Sequence, residues 1–282
     1  MGGQNRSGLK RMTILVLIMA ALSLTLFSCS TYCGQNRYHY LDMSEAQLRQ
    51  LEEPSSDAPA AVIHTTMGDI TAVLYPEEAP VYVEQFTRLA KEGYYDGTYV
   101  FQVQKDVYFS AGTPDNTGKL NGSLEASPQE NVAAETSANL WPFRGALCVP
   151  LTGHDRSFWH NLFGDAVDYC GTRFLVCNSI EFDDEIKAGL EEIDEAAKNV
   201  TDAFMEKGGV PNYAQQMTVF GQAYGDESFE TIDKITAAAV KAADPESKYT
   251  APVDDIIIEQ IEITTWGEVS AIVDKSAENA NT

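Results

Sequence analysis

Residues able to do chemistry are sparse in this chain: four histidines, His39, His64, His154 and His160, stand among 282 residues. His154-Asp155 near Ser157 holds the residue types of a hydrolytic triad, but side chains so close in sequence rarely converge into one, and no nucleophile is assigned. Glu181, Asp183, Asp184 and Glu185 offer oxygen ligands for calcium. The glycine-containing loop of an EF-hand is absent, so the group reads as a solvated acidic face. Cys29, Cys33, Cys148, Cys170 and Cys177 lack the paired C-x-x-C spacing of a zinc site. A Cys170–Cys177 disulfide and free buried thiols fit the spacing equally. No G-x-G-x-x-G or P-loop suggests a nucleotide. The expectation is a protein without metal or other cofactor.

The charge balance narrows the partners. With 42 acidic against 19 basic residues the formal net charge is −23, and no run of Lys and Arg exists to neutralise phosphates, which excludes nucleic acid. A hydrophobic content of 44% with only 22% charged residues suits a folded core of about 150–200 residues, or two smaller ones, and not a disordered chain.

The first residues are a separate object. Lys10 and Arg11 precede an uncharged apolar run from Met12 to Phe27, the pattern of an export signal and too short for a comfortable transmembrane helix. Leu26-Phe27-Ser28-Cys29 resembles the lipobox of bacterial lipoproteins. That resemblance implies diacylation of Cys29, removal of residues 1–28 and an extracytoplasmic, lipid-anchored location on a bacterial cell membrane. Residues 29–60 read as a tether closed by Pro54, Ser55, Ser56, Asp57 and Pro59, with room for a short helix around Ser44–Glu53.

The body is expected over 61–266, followed by a tail at 267–282. Ala61–Thr66 and Ile70–Tyr75 form a hairpin about Met67-Gly68-Asp69. Pro80 opens a helix whose Val83, Phe86, Leu89 and Ala90 share a face and which Gly93 ends. Thr98–Phe109, Gly145–Val149, Arg173–Cys177, Met217–Gly221 and Asp254–Ile263 read as strands, and Ser228–Ala242 as a second helix. Insertions are expected at about 118–142, 152–170 and 181–210. Within Glu181–Lys207, Ile186, Leu190, Ile193, Ala197, Val200 and Phe204 recur at helical spacing beneath ten acidic residues, an inserted acidic amphipathic helix. Few helices and many short strands point to a mainly β fold, a closed antiparallel barrel.

In this order the elements resemble the cyclophilin-type peptidyl-prolyl isomerases. The resemblance rests on His64-Thr65-Thr66-Met67-Gly68-Asp69-Ile70, Ala79-Pro80 through Phe86, Leu89 to Thr98, Ala111-Gly112-Thr113-Pro114, Arg144-Gly145-Ala146-Leu147, Gly171-Thr172-Arg173-Phe174, Thr218-Val219-Phe220-Gly221 and Asp255-Ile256-Ile257-Ile258-Glu259. It implies an eight-stranded antiparallel barrel capped by two helices, with a proline-binding groove on its outer face. The reaction is rotation about an X-Pro amide across a barrier of roughly 18–20 kcal/mol. It needs no nucleophile, because twisting leaves a lone pair on the prolyl nitrogen for a fixed donor to stabilise.

In the family that donor is the arginine of a Phe-His-Arg-Val motif. Here the stretch is Val100-Phe101-Gln102-Val103, so the catalytic position is Gln102, and no arginine lies between Arg88 and Arg144. The resemblance places Phe101, Tyr108, Ser110, Arg173, Phe174, Leu175, Tyr213 and Met217 at substrate-binding positions. Ser110 replaces a glutamine, Met217 a histidine, and Leu175 forms the floor of the proline pocket. Arg173 is a candidate to restore the missing guanidinium. A neutral amide in place of a guanidinium predicts low activity. The expected substrates are X-Pro segments of exported proteins. The alternatives are an inactive cyclophilin-fold lipoprotein that binds peptides as a chaperone or assembly factor, and a structural lipoprotein whose groove holds the acidic helix.

Overall fold

The computed structural model describes residues 46–120, 131–154, 168–191, 197–246, 249–271 and 273. The signal, Cys29, Cys33, Ile193, and parts of the tether, the insertions and the tail lie outside them. All described residues belong to one compact unit, 41–154 with 167–282.

Strands β1 (Pro59–Thr65) and β2 (Gly68–Leu74) pair as the expected hairpin. Its turn is closed by Thr65, whose hydroxyl donates to the Gly68 carbonyl and accepts from the Met67 N–H. Gly68 has φ of 129°, and a Cβ there would stand 2.5 Å from the Thr231 hydroxyl, so both backbone and neighbour demand glycine. Helix α1 (Pro80–Lys91) starts on its proline and buries Tyr82, Val83, Phe86, Leu89 and Ala90. Its free N–H groups at Val81 and Tyr82 donate to the two carboxylate oxygens of Glu135, a cap supplied from 54 and 53 residues away.

The stretch Thr98–Phe109 is a hairpin and not one strand. β3 (Thr98–Gln104) and β4 (Tyr108–Thr113) flank a turn in which Asp106 takes φ of 59° and the Val107 N–H returns to the Gln104 carbonyl. The β-rich residues on both sides of the short Lys105-Asp106 turn hid it. β5 (Val132–Ala133), β6 (Ala146–His154), β7 (Asp168–Cys170) and β8 (Phe174–Cys177) follow. The acidic segment forms α2 (Asp184–Glu191) and α3 (Lys198–Lys207), with 192–196 between them outside the described residues. β9 (Met217–Tyr224), α4 (Asp226–Thr236) and β10 (Ile257–Thr265) complete the chain.

Helix α4 is shorter than Ser228–Ala242. After Thr236 the backbone pairs with the segment before β10, Lys241 N–H to Ala251 and Val253 N–H to Ala239, and this competes successfully with helix continuation. In the tail, residues 266–271 are helical and bury Val269 against Ala60 and Val62.

Every strand pairing is antiparallel. The order β6-β8-β4-β3-β10-β1-β2-β9 returns to β6 through β9, closing an eight-stranded barrel, with β5 and β7 continuing the sheet beside β6. Closure leaves no edge in the ring. Inside it Phe86 meets Tyr95, Phe174 and Phe220 at centroid distances of 5.0–5.7 Å, joined by Ile63, Ile70, Val103, Phe109, Leu147 and Val176.

The expected tether is shorter at its end than 29–60. Gln50 is buried in a 3-10 turn (Arg49–Leu51); its carboxamide accepts from the Trp141 N–H, and donates to the Trp141 carbonyl and to Gln222. Arg49 pairs with Glu52 and Glu77. The chain is therefore fixed to the body before the hairpin begins.

Candidate functional site

A strand in a barrel sends alternate side chains inward and outward, and β3 departs from that rule where it matters. Val100 and Val103 both point into the core, three positions apart, because the pairing with β4 shifts register on both sides of Val100. This bulge puts Gln102 on the outer face, opposite Ser110. On β4, Phe109 and Ala111 enter the core, which leaves Tyr108 and Ser110 outside. On β8, Phe174 and Val176 enter, while Leu175 and Cys177 lie outside. Leu175 pairs with Ser110, so Gln102, Ser110 and Leu175 make one row across three strands.

Beyond that row lies a second apolar cluster, separate from the barrel interior: Leu140, Ala146, Cys148, Leu175, Cys177, Val210 and Val219, with Tyr108, Tyr213 and Met217 packed at its border. Leu175 is 3% exposed within this cluster. Gln102, Tyr108, Tyr213 and Met217 are half-buried. Gln102 donates from Nε2 to the Tyr108 hydroxyl at 2.8 Å. The Tyr108 and Tyr213 rings meet edge to face at 5.7 Å. Burial is the main cause holding the Tyr108 hydroxyl well above the usual phenol range, so the phenol stays neutral.

Three of the expected substrate-binding residues are placed elsewhere. Phe174 is fully buried inside the barrel against Phe86 and Tyr95, the inward side of the pleat, and cannot line the groove. Phe101, the extra residue of the bulge, is 3% exposed and packs its ring 5.0 Å from that of Tyr249. Arg173 is 6% exposed and donates to the Gly118 carbonyl at 2.9 Å, tying down the loop after β4. Its guanidinium donates to a backbone carbonyl, a structural pairing of the kind that competes with its candidacy as a substitute for the family arginine.

The acidic insertion does not fill the groove with its apolar stripe. Ile186, Leu190, Val200 and Phe204 pack with Trp141, Phe143 and Leu48 in a third cluster. The insertion's roots do contribute: Ile180 and Val210, at its two ends, join the groove cluster. The close return at Gly209, where a Cβ would be 2.4 Å from the Pro142 carbonyl oxygen, brings them together. Sequence reading missed Leu140 and Val210, which arrive from the ends of the expected insertions at 118–142 and 181–210. Cys148 was accessible to it, since alternation along β6 with Leu147 and Val149 inside places it outside.

The thiols are arranged differently from the Cys170–Cys177 pairing. Cys148 and Cys177 sit side by side, Sγ to Sγ 3.8 Å, whereas Cys170 faces the Thr218 hydroxyl at 3.4 Å. All three are free and buried. Burial pushes the Cys148 thiol up and that of Cys170 up to about 11, so neither is a nucleophile at neutral pH. Among the described residues no group of three metal-ligating side chains forms a cation site. Three surface depressions of about 480, 500 and 710 Å³ are lined by none of Gln102, Tyr108 or Leu175. The outer face carries neutral polar side chains, Gln102, Tyr108 and Ser110, beside an apolar cluster.

In sequence the chain is similar to proteins of one family. The sequence model of the cyclophilin type peptidyl-prolyl cis-trans isomerases matches residues 60–163. A Staphylococcus epidermidis protein provisionally named a peptidyl-prolyl cis-trans isomerase is 31% identical over 202 residues, 72% of this chain and 90% of the relative. A Streptococcus pyogenes protein, provisionally named a bifunctional phosphatase/peptidyl-prolyl cis-trans isomerase, is 30% identical over 221 residues. This match covers 78% of the chain but 42% of the relative's length. Among solved structures, a Cryptosporidium parvum cyclophilin type isomerase, crystallised in the presence of the dipeptide Ala-Pro, aligns at 19% identity with a TM-score of 0.47, over 73% of this chain and 99% of that one. With a closed barrel, the row of Gln102, Ser110 and Leu175 on its outer face, and a relative matched over nine-tenths of its length, the chain belongs to the cyclophilin-type peptidyl-prolyl cis-trans isomerase family.

Proposed function

We propose that this groove catalyses cis-trans isomerisation of X-Pro bonds, with Leu175 under the proline ring and Gln102, Tyr108 and Ser110 as its neutral polar readers. The observation that carries the reading is the bulge at Val100, which turns Gln102 outward into one row with Ser110 and Leu175. A neutral donor stabilises a developing lone pair about half as well as a charged one, so turnover is slow. The test is exchange spectroscopy on a short X-Pro peptide with the purified protein. Saturable acceleration of exchange is expected, and its absence at protein concentrations that bind the peptide overturns the reading.

A second reading has its own observation. The Gln102 amide is already bonded to Tyr108, and Arg173 is held by Gly118, which describes a groove that binds without catalysing. Peptide-induced shifts of groove resonances with unchanged exchange rates would favour that binder.

The substrates are proposed to be exported proteins, met at a membrane where a lipid on Cys29 holds the domain. The export-signal pattern and Leu26-Phe27-Ser28-Cys29 support this. No helix among the described residues is long and apolar enough to cross a membrane. Labelling cells with a palmitate analogue tests the anchor: incorporation into the wild type and loss in Cys29→Ala are expected, and equal labelling of both overturns it.

A further inference from the structure

We propose that the group donating a hydrogen bond to the twisted prolyl nitrogen is the Tyr108 hydroxyl, and that Gln102 is its positioning residue. The inference rests on the isomerase reading and assigns the roles within it.

The argument begins with hydrogen-bond inventory. A carboxamide has two N–H donors and a phenol has one O–H together with acceptor lone pairs. At 2.8 Å the Gln102 Nε2 donates and the Tyr108 oxygen accepts, because Nε2 has no lone pair to offer in return. The Tyr108 proton is therefore directed away from Gln102. Its neighbour on the far side is Tyr213, whose hydroxyl interacts with that of Tyr108 and whose ring crosses it edge to face. That hydroxyl is itself hydrogen-bonded to Tyr213 at the border of the apolar cluster that holds Leu175, and a proline seated there would take the proton in place of Tyr213.

Chemistry favours the same atom. A phenol is far more acidic than a carboxamide N–H and makes the stronger neutral donor. Accepting a bond from Gln102 polarises it further, since chained hydrogen bonds reinforce one another in a low-dielectric site. Of the other donors, the Arg173 guanidinium holds the Gly118 carbonyl, and Ser110, in the row itself, is 6% exposed. The resulting relay runs from Gln102 N–H to Tyr108 O–H to the prolyl nitrogen. No bond is made or broken, and the bond to nitrogen exists only when the amide is twisted, so it lowers the barrier without tightening ground-state binding.

The experiment compares wild type, Tyr108→Phe, Gln102→Leu and the double variant in exchange spectroscopy on an Ala-Pro peptide, with peptide affinity measured alongside. Tyr108→Phe keeps the ring and its packing and removes one hydroxyl. We expect its kcat/KM to fall by roughly tenfold, the equivalent of one net hydrogen bond, with affinity unchanged. Gln102→Leu is expected to fall less, and the double variant no further than Tyr108→Phe, since a positioning residue has nothing left to position. Full activity in Tyr108→Phe overturns the assignment while an active wild type leaves the isomerase reading standing. Losses in the two single variants that multiply in the double overturn the relay in the same way. A silent wild type that still binds peptide overturns both.

Discussion

Replacing Gln102 by arginine restores the family's residue in a groove that already has its row and floor. Gln102 sits on the outer face by virtue of the β3 bulge, half-buried at the border of an apolar cluster, with its side-chain amide bonded to Tyr108 at 2.8 Å. A guanidinium at this position retains an N–H for Tyr108 and still has donors in hand. A net neutral hydrogen bond contributes about 1 kcal/mol and one to or from a charged group about 1.5–3 kcal/mol, a difference of roughly 0.5–2 kcal/mol. Because the acceptor lone pair exists only in the twisted amide, that difference acts on the barrier, and kcat/KM is expected to rise by roughly tenfold. Exchange spectroscopy or a protease-coupled assay on the same X-Pro peptide reads it. A Gln102→Arg variant that binds peptide as tightly as wild type and shows no rise in rate would refute the reasoning, because it would mean that a guanidinium at residue 102 does not reach the prolyl nitrogen past Tyr108.

Three further outcomes follow from the fold. Gly68→Ala places a Cβ 2.5 Å from the Thr231 hydroxyl at φ of 129°, and a loss of about 1–3 kcal/mol is expected, read as a lower denaturant midpoint with an unchanged slope. Gln50→Ala removes the side chain that accepts from the buried Trp141 N–H; a cost of about 1–3 kcal/mol and faster proteolysis near residue 50 should appear together. Burial raises the Cys170 thiol from 9.0 to about 11 in the folded protein. The folded state then holds its proton more tightly than the unfolded state, so this contribution is present in full below pH 9 and is lost as pH climbs through about 11. The melting temperature should fall over that window, less steeply in Cys170→Ala, and an equal slope in both would contradict the assignment.

How legible the site was depends on the range of the forces that build it. Pleat alternation is a local property, so the outward set on β4 and β8, Tyr108, Ser110 and Leu175, was readable once strands were placed. Phe174 was misread because the alternation that turns Leu175 outward turns its neighbour into the barrel. The bulge on β3 was not readable: which residue is extra depends on the register with β4, and register is settled by both strands together. Arg173 shows the same limit, since its partner, the Gly118 carbonyl, is a backbone atom 55 residues away.

The sequence by itself determined that the chain is a mainly β barrel with Pro80 opening one of its helices, and that the family arginine is absent. These follow from composition, short-range periodicity and residue identity, which need no partner in space. Only the tertiary structure decided that Glu135 caps helix α1, that Gln50 fastens the N-terminal segment, that the acidic stripe packs on Trp141 and Phe143, and that Gln102 meets Tyr108. Each of these joins distant segments or crosses a hairpin whose turn composition concealed. Such contacts form only after closure of the barrel has brought the strands into register.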